Sequence, residues 1–441
     1  MIKSILKKVN LHFLNDKKIF YRLFKTFIAR GVSAVGTFFF NFALAKTLGV
    51  GEFGRFMYIY SIFIGLGFFA RFGMSSAILR FASIMFSNKE FGKLKKLRKD
   101  VFKLFLTLSC SISILVIVIN FIFIDYFYIG TSTKLLITFF AISLPFYSYL
   151  FIQASFLKAF KAPHIAPFIE AGLMSFIVGL VVVALDIFKV DVTTSLSAFI
   201  FLTSSIFISI TGYFVLNKVF FNNHDYVLLE KYIGFYKTLP DYASSEIIRF
   251  FLTFSPTIIM GIFVSEHDIG IFSIANRTAF IINFILWIIN TVYAPYFANF
   301  FENKEFNLLN KQYYKSILIM IIISFPLLIV FIIFPVDILK LFGGEFVSAS
   351  KSLIILSISQ FIPLLCGPTN FLLQMTGNQK KVRNLSLITL FLGLLLCFLL
   401  IPKYSYMGAT IATSVIIVFE SLVSFRLCIK YAGLSFFKMK L

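Results

Sequence analysis

Five arginines of this 441-residue chain lie within, or at the ends of, long apolar runs: Arg30, Arg71, Arg80, Arg249 and Arg277. A guanidinium keeps its proton and presents five N–H donors, so in an apolar medium it requires water, a carboxylate or another anion beside it. Arg80 is placed to snorkel to a membrane surface, and Arg249 has Glu246 three residues before it on the same helix. Arg30, Arg71 and Arg277 have no acidic residue at helical spacing. The chemistry these residues support is recognition of an anion, and the planar fork suits phosphate oxygens in particular.

Neutral polar residues accompany the arginines at the period of a helix. Arg30, Thr37 and Asn41 share one face, and Tyr60, Gly67 and Arg71 share another. Ser245, Arg249, Thr253 and Pro256 form a third stripe, with Glu246 at its edge. Asn276, Asn283 and Asn290 recur every seven residues, and Gln360, Pro363, Gly367, Asn370 and Gln374 line one side of a later run. For any single Asn or Gln, a hydrogen bond between neighbouring helices accounts for the residue equally well. Five stripes together predict a hydrated cavity. Arg30, Arg71, Arg277 and Arg249 are its expected anion-binding groups; Thr37, Asn41, Tyr60, Ser245, Asn276, Asn283, Gln360 and Asn370 are its expected neutral lining. Glu170, Glu246 and Glu420 are carboxylates in or near apolar runs, each a candidate for coupling to an ion.

Other chemistries find little support. Cys110, Cys366, Cys397 and Cys428 lie far apart in apolar runs, and the four histidines are scattered, so neither a disulfide framework nor a metal site is expected. Gly49-Val50-Gly51-Glu52-Phe53-Gly54 matches a dinucleotide-binding pattern, but that pattern needs a strand before it and a helix after it in a βαβ unit. No phosphate-loop motif G-x-x-x-x-G-K-[ST] occurs. The expected external loops are short and poor in His and paired carboxylates, so catalysis is not expected, nor is a cofactor.

These residues need a frame. The chain is 59% hydrophobic and 14% charged, with a mean hydropathy of +0.93. Soluble domains average roughly 45–50% apolar and about 25% charged. A soluble globular or disordered chain is therefore excluded. Apolar runs cut by basic or turn-rich stretches predict an all-α integral membrane protein of about twelve spans: 27–47, 56–79, 103–124, 134–156, 165–185, 193–216, 242–264, 271–294, 315–335, 351–375, 384–401 and 406–427. Residues 1–26 read as a basic amphipathic segment on the membrane surface. Residues 27–216 and 242–428 then form two six-helix lobes, with a linker at 217–241 and a tail at 429–441.

The formal charge of +22 would suggest nucleic acid in a soluble protein. Here 29 of the 41 Lys and Arg residues fall on one side of the expected topology and 7 on the other. That asymmetry places both termini in the cytoplasm and accounts for the charge without a nucleic-acid partner. An internal repeat supports the halves. Glu52-Phe53-Gly54-Arg55-Phe56 and Asp268-Ile269-Gly270-Ile271-Phe272 stand 216 residues apart, and Asn88-Lys89-Glu90-Phe91 and Asn303-Lys304-Glu305-Phe306 stand 215 apart. Six helices per half return the chain to its starting side, so the repeats are parallel and related by an axis along the membrane normal. That arrangement predicts a transporter with its ligand between the halves.

Several short motifs carry a resemblance. Leu48-Gly49-Val50-Gly51-Glu52-Phe53-Gly54 with Phe56 resembles the signature after the first helix of the polysaccharide flippase (Wzx-like) family. Asp268-Ile269-Gly270-Ile271-Phe272 with Ala275 and Arg277 resembles that family's opening of the eighth helix. Leu341-Phe342-Gly343, Thr376-Gly377-Asn378, Pro402 and Met407-Gly408-Ala409-Thr410-Ile411-Ala412-Thr413 resemble its C-terminal landmarks. The similarity runs from about residue 20 to 430. It implies membership of the MOP superfamily of two-lobed exporters, which includes the MATE multidrug antiporters and the lipid II flippase MurJ. It implies further that the substrate is an undecaprenyl-pyrophosphate-linked oligosaccharide, moved from the cytoplasmic to the periplasmic leaflet of a bacterial inner membrane for O-antigen or capsule assembly, with a polymerase and other glycan-assembly proteins as partners. On this resemblance Arg30 and Arg71 match cavity arginines of lipid-linked sugar flippases, and the neutral lining meets sugar hydroxyls. Two departures bear on the choice within the superfamily. The chain has about twelve helices, which argues against MurJ itself, and its first helix carries Arg30 and no carboxylate, which argues against a MATE-type cation antiporter. A membrane polymerase or ligase acting on the same lipid-linked sugars is a further alternative.

Overall fold

The computed structural model describes residues 17–123, 130–160, 162–221 and 233–434. Residues 1–16 of the expected amphipathic segment, 222–232 of the linker and 435–441 of the tail lie outside the described residues.

The chain is built from helices that contain the apolar runs, several of them beginning in the polar or basic stretch before the run. They are α1 (Lys17–Arg71), α2 (Met74–Ser87), α3 (Phe91–Phe123), α4 (Thr131–Ala159), α5 (Leu173–Ile187) and α6 (Thr194–Phe221) in the first half. The second half holds α7 (Ile233–Phe263), α8 (Glu266–Glu302), α9 (Phe306–Ile333), the short α10 (Pro335–Lys340), α11 (Ser350–Cys366), α12 (Thr369–Met375) and α13 (Gln379–Tyr431). Among the described residues, nine helical stretches are long and apolar enough to cross a membrane.

Two of those stretches are bent double. The α1 helix turns at Gly49, whose φ of 72° and ψ of 174° suit only glycine, so it supplies the first and second spans. The α13 helix turns at Ser405, with φ 50°, and supplies the eleventh and twelfth. The expected loop between spans is thus a single residue in each case. The left-handed Ser405 is tied by its hydroxyl, which donates to Asp268 Oδ2 at 2.6 Å. The fifth span is a π-helical turn at Phe168–Gly172 followed by α5. The tenth joins α11 to α12 across Gly367, at φ 84°. The second span continues past a break at Phe72 and Gly73 into α2. The result is about twelve spans in two parallel six-helix lobes.

In the first lobe α4 packs on α3 and α6, and α5 packs on α1. In the second, α11 packs on α8, α9 and α13, and α7 packs on α13. The outer faces carry exposed Ile114, Leu115, Phe207, Leu318, Ile322 and Phe391. Such residues suit lipid, which offers the apolar solvent that water does not. The lobes meet through α1 and α2 on one side and α7 and α8 on the other.

The meeting at one end repeats the internal sequence repeat in space. A Cβ on Gly54 would lie 1.8 Å from the Glu266 carbonyl oxygen and 2.7 Å from Gly270 N. A Cβ on Gly270 would lie 2.2 Å from the Val50 carbonyl oxygen. Gly54 and Gly270 are repeat partners, as are Val50 and Glu266, so the contact is reciprocal. Only glycine allows two backbones this close. Arg55 clasps the crossing, bonding Glu266 Oε1 of the other lobe and Glu52 Oε1 of its own helix at 2.7 Å each.

Candidate anion site between the lobes

Arg71 is the last residue of α1, and the backbone behind it is locally strained. Phe72 and Gly73 take φ of 40° and 73°, left-handed values that a bulky aromatic residue rarely adopts. The break fixes where the guanidinium points. Arg71 is 3% exposed and is sandwiched between two rings, 4.7 Å from the Phe68 centroid and 4.3 Å from that of Phe151. Both contacts are favourable cation–π geometry, yet neither ring accepts the full set of N–H bonds. Among the described residues Nη1 is buried without a hydrogen-bond partner, and no carboxylate forms an ion pair with Arg71. Gly67 opens the space beside it: a Cβ there would sit 3.5 Å from Arg71 Nη1 and 3.2 Å from Ser148 Oγ, itself a buried hydroxyl without a partner.

Arg277 approaches from α8 of the other lobe. Its guanidinium lies 5.8 Å from the Tyr60 ring centroid and within electrostatic reach of Tyr147. Arg71 is within reach of the same Tyr147. Tyr60 and Tyr147 belong to an aromatic cluster with Phe56, Phe63, Phe140 and Phe201, whose centroid separations run from 4.9 Å for Phe63–Phe140 to 6.2 Å for Tyr60–Phe63. The cluster holds the two hydroxyl-bearing rings between the two arginines. Arg71 stacks on Phe151, whose ring centroid lies 5.3 Å from that of Tyr147, and Arg277 lies beside Tyr60, so guanidinium groups from opposite lobes flank one aromatic cluster, an arrangement suited to an anion that touches both halves.

The other expected residues fall elsewhere. Arg30 is half-buried on the first span. Arg249 and Ser245 are exposed on α7, and Glu246 forms no ion pair with Arg249. Ser245 and Thr37 donate to carbonyls of their own helices, at Asp241 and Ser33, and Asn41 donates to the Thr37 carbonyl while its Oδ1 stays buried and unbonded. Asn283 donates to Gln360 Oε1 at 2.6 Å, joining α8 to α11. Asn276 is half-buried on α8. Asn370 donates to Glu420 Oε1 at 3.1 Å, and Lys158 pairs with Glu170. Glu246 is 7% exposed and accepts from Ser76 Oγ at 2.6 Å. A separate cavity of about 500 Å³ opens between the second, third and fourth spans, lined by Arg55, Tyr58, Ile62, Phe63, Phe140 and Glu266 among others. Arg30, Arg71 and Arg277 do not line it.

Tyr147, Phe151 and Ser148 were not singled out by sequence. In a chain with 62 Phe and 19 Tyr, aromatic residues on α4 carry no signal of their own. Gly67 and Phe68, four and three residues before Arg71, are the neighbours that helical spacing points to.

The sequence profile of the MatE family matches residues 243–399. Among solved structures, an inward-facing multidrug resistance MATE family transporter of the MOP superfamily superposes with a TM-score of 0.74 at 12% identity, covering 92% of this chain and 98% of its own. The lipid II flippase MurJ in an inward closed conformation gives 0.73 at 18% identity, covering 91% and 87%. A MOP superfamily transporter from Pyrococcus furiosus, described as having a binding pocket of reverse polarity, gives 0.62 at 17%, covering 93% and 96%. No curated protein matches the chain. The chain therefore has the fold of these transporter and flippase structures and is a multi-pass membrane protein.

Proposed function

We propose that the protein is a flippase for an undecaprenyl-pyrophosphate-linked oligosaccharide, working by alternation of its two lobes in a bacterial inner membrane, for O-antigen or capsule assembly. The observation that carries this reading is the buried Arg71, with an unbonded Nη1 and no ion-paired carboxylate, joined by Arg277 from the other lobe. A pyrophosphate supplies the oxygens these forks lack. Arg30 and Arg249 contribute positive charge along the entry path, and the lipid tail stays in the bilayer between helices. Sugar hydroxyls meet Asn276 and Tyr60. A polymerase and other glycan-assembly proteins receive the product. Ion coupling, in this reading, falls to Glu420, whose only bonded partner among the described residues is the neutral Asn370.

The experiment is transport of a fluorescent undecaprenyl-pyrophosphate oligosaccharide across proteoliposomes by the parent, Arg71→Ala and Arg277→Ala. Loss of transport in both variants, with normal insertion, supports the reading; full transport in both removes the arginines from the site. The MatE profile match favours a drug exporter as the second reading. Export of an organic cation that survives Arg71→Ala would select it.

A further inference from the structure

Between Gly65 and Ser76 the second span and α2 lie against α7 of the other lobe, and Arg71 sits inside that stretch. A Cβ on Gly65 would lie 2.3 Å from the Phe250 ring, and one on Gly73 would lie 2.5 Å from Ala243 N and 2.7 Å from the Leu239 carbonyl oxygen. Ser76 Oγ donates to Glu246 Oε1 at 2.6 Å. These contacts bracket Arg71 along the chain, and the last of them brings Glu246 to α2 from across the lobe boundary. Each charge is more than nine-tenths buried, and each keeps one polar atom unbonded: Nη1 of Arg71 and Oε2 of Glu246. They are within electrostatic reach of each other without forming an ion pair. Glu170 also lies within reach of Arg71, but Lys158 already engages it.

An arginine with no nearby negative charge is too costly to bury in an apolar interior. A carboxylate in direct contact with that arginine would leave no room for a ligand. The arrangement found here lies between those extremes: the charge is compensated at a distance, and the donor facing the ligand stays open.

We propose that Glu246 is a built-in counter-ion of Arg71, contributed by the opposite lobe, whose electrostatic place an anionic ligand takes over when it binds. The inference rests on the reading of Arg71 as an anion-binding residue. It adds a determinant of specificity. A neutral saccharide lipid brings no charge to exchange for Glu246 and leaves Arg71 tied to the other lobe. A phosphate or pyrophosphate makes the exchange, and the attraction across the contact between α2 and α7 falls as it does so. Ligand binding then favours the conformation in which that contact has opened, which is the differential affinity a ligand needs to shift lobe positions.

The test is binding of inorganic pyrophosphate to the purified full-length protein in nanodiscs, by calorimetry. Glu246→Gln keeps the size of the side chain and its bond to Ser76 but removes the competing charge, so binding tightens about tenfold, a step of ~1.4 kcal/mol. Glu246→Asp, which keeps the charge, stays within about threefold of the parent. Arg71→Gln loses binding, and in that background Glu246→Gln brings no gain. A second variant leaves both charges in place: Ser76→Ala frees the Glu246 carboxylate to close on Arg71, and binding weakens. Unchanged or weaker binding in Glu246→Gln overturns the counter-ion, as does a tenfold gain that persists without Arg71, or binding in Ser76→Ala at or above that of the parent. Parental binding by Arg71→Gln overturns the anion reading itself, and the counter-ion with it.

Discussion

At the scale of the residue, polar groups inside the spans divide into those that satisfy one another and those left open. Asn283 and Gln360 form a closed pair across α8 and α11. Truncation to Gln360→Leu strands the Asn283 amide and costs about 1 kcal/mol of stability, within the range of membrane hydrogen bonds. Pyrophosphate binding is expected to be unchanged, and a tenfold loss of affinity at an unaltered melting temperature would instead make Gln360 a ligand contact. Arg71 belongs to the open group. Arg71→Lys keeps a charge but loses the planar fork and its stacking between Phe68 and Phe151, so transport falls about tenfold or more while some activity remains, unlike Arg71→Ala. Glu420→Gln is expected to leave substrate binding intact and remove the dependence of transport on an imposed ion gradient; a variant as gradient-dependent as the parent would exclude it as the coupling site. The arginines were legible in the sequence because a charge inside an apolar run is anomalous by itself. Their partners were not, because Tyr147, Phe151 and Ser148 are ordinary residues whose role depends on how α4 sits against the second span.

At the scale of the element, the twelve spans were legible and their joints were not. Hydrophobic run length locates a helix, but it does not distinguish a loop from a single left-handed residue such as Gly49 or Ser405, after which the helix resumes. The same holds at Phe72 and Gly73, where an apolar run continues unbroken through a backbone break. The Gly54–Gly270 crossing was visible only as a repeated motif. Its geometry makes Gly54→Leu a wedge: with a Cβ expected 1.8 Å from a backbone oxygen, the two helices must part or the lobes must stay open at that end. Spin labels placed on either side of the crossing are expected to show a longer mean distance in Gly54→Leu than in the parent. An unchanged distance distribution would mean that the crossing is no barrier to the closed conformation. Gly270→Leu is expected to behave alike, because the contact is reciprocal.

At the scale of the whole molecule, charge and fold make separate statements. The fold gives two parallel lobes; the 29-to-7 division of basic residues predicts their orientation, with Gly73 and Ala243 expected on the cytoplasmic side and Gly54 and Gly270 on the opposite side. Single cysteines introduced at Ser265 and Gly343 are expected to react with a membrane-impermeant reagent added outside spheroplasts, and a cysteine at Lys304 only after the membrane is broken. The opposite pattern would invert the molecule. Composition had excluded a soluble protein outright, and the six-plus-six count followed from apolar run lengths, because both depend on sums over many residues. The site depends on a few contacts between distant elements, which no local pattern records.

The crossing at Gly54 and Gly270 has a consequence for ancestry. A contact in which residue 50 meets residue 270 while residue 54 meets residue 266 is the isologous kind that two identical subunits make about a two-fold axis. A single six-helix unit bearing one copy of the motif would already possess a surface complementary to itself, and would pair as a homodimer before any fusion. Joining two such units would free each copy to diverge outside the crossing. The glycines could not diverge in the same way, since a side chain on either one breaks the contact for both.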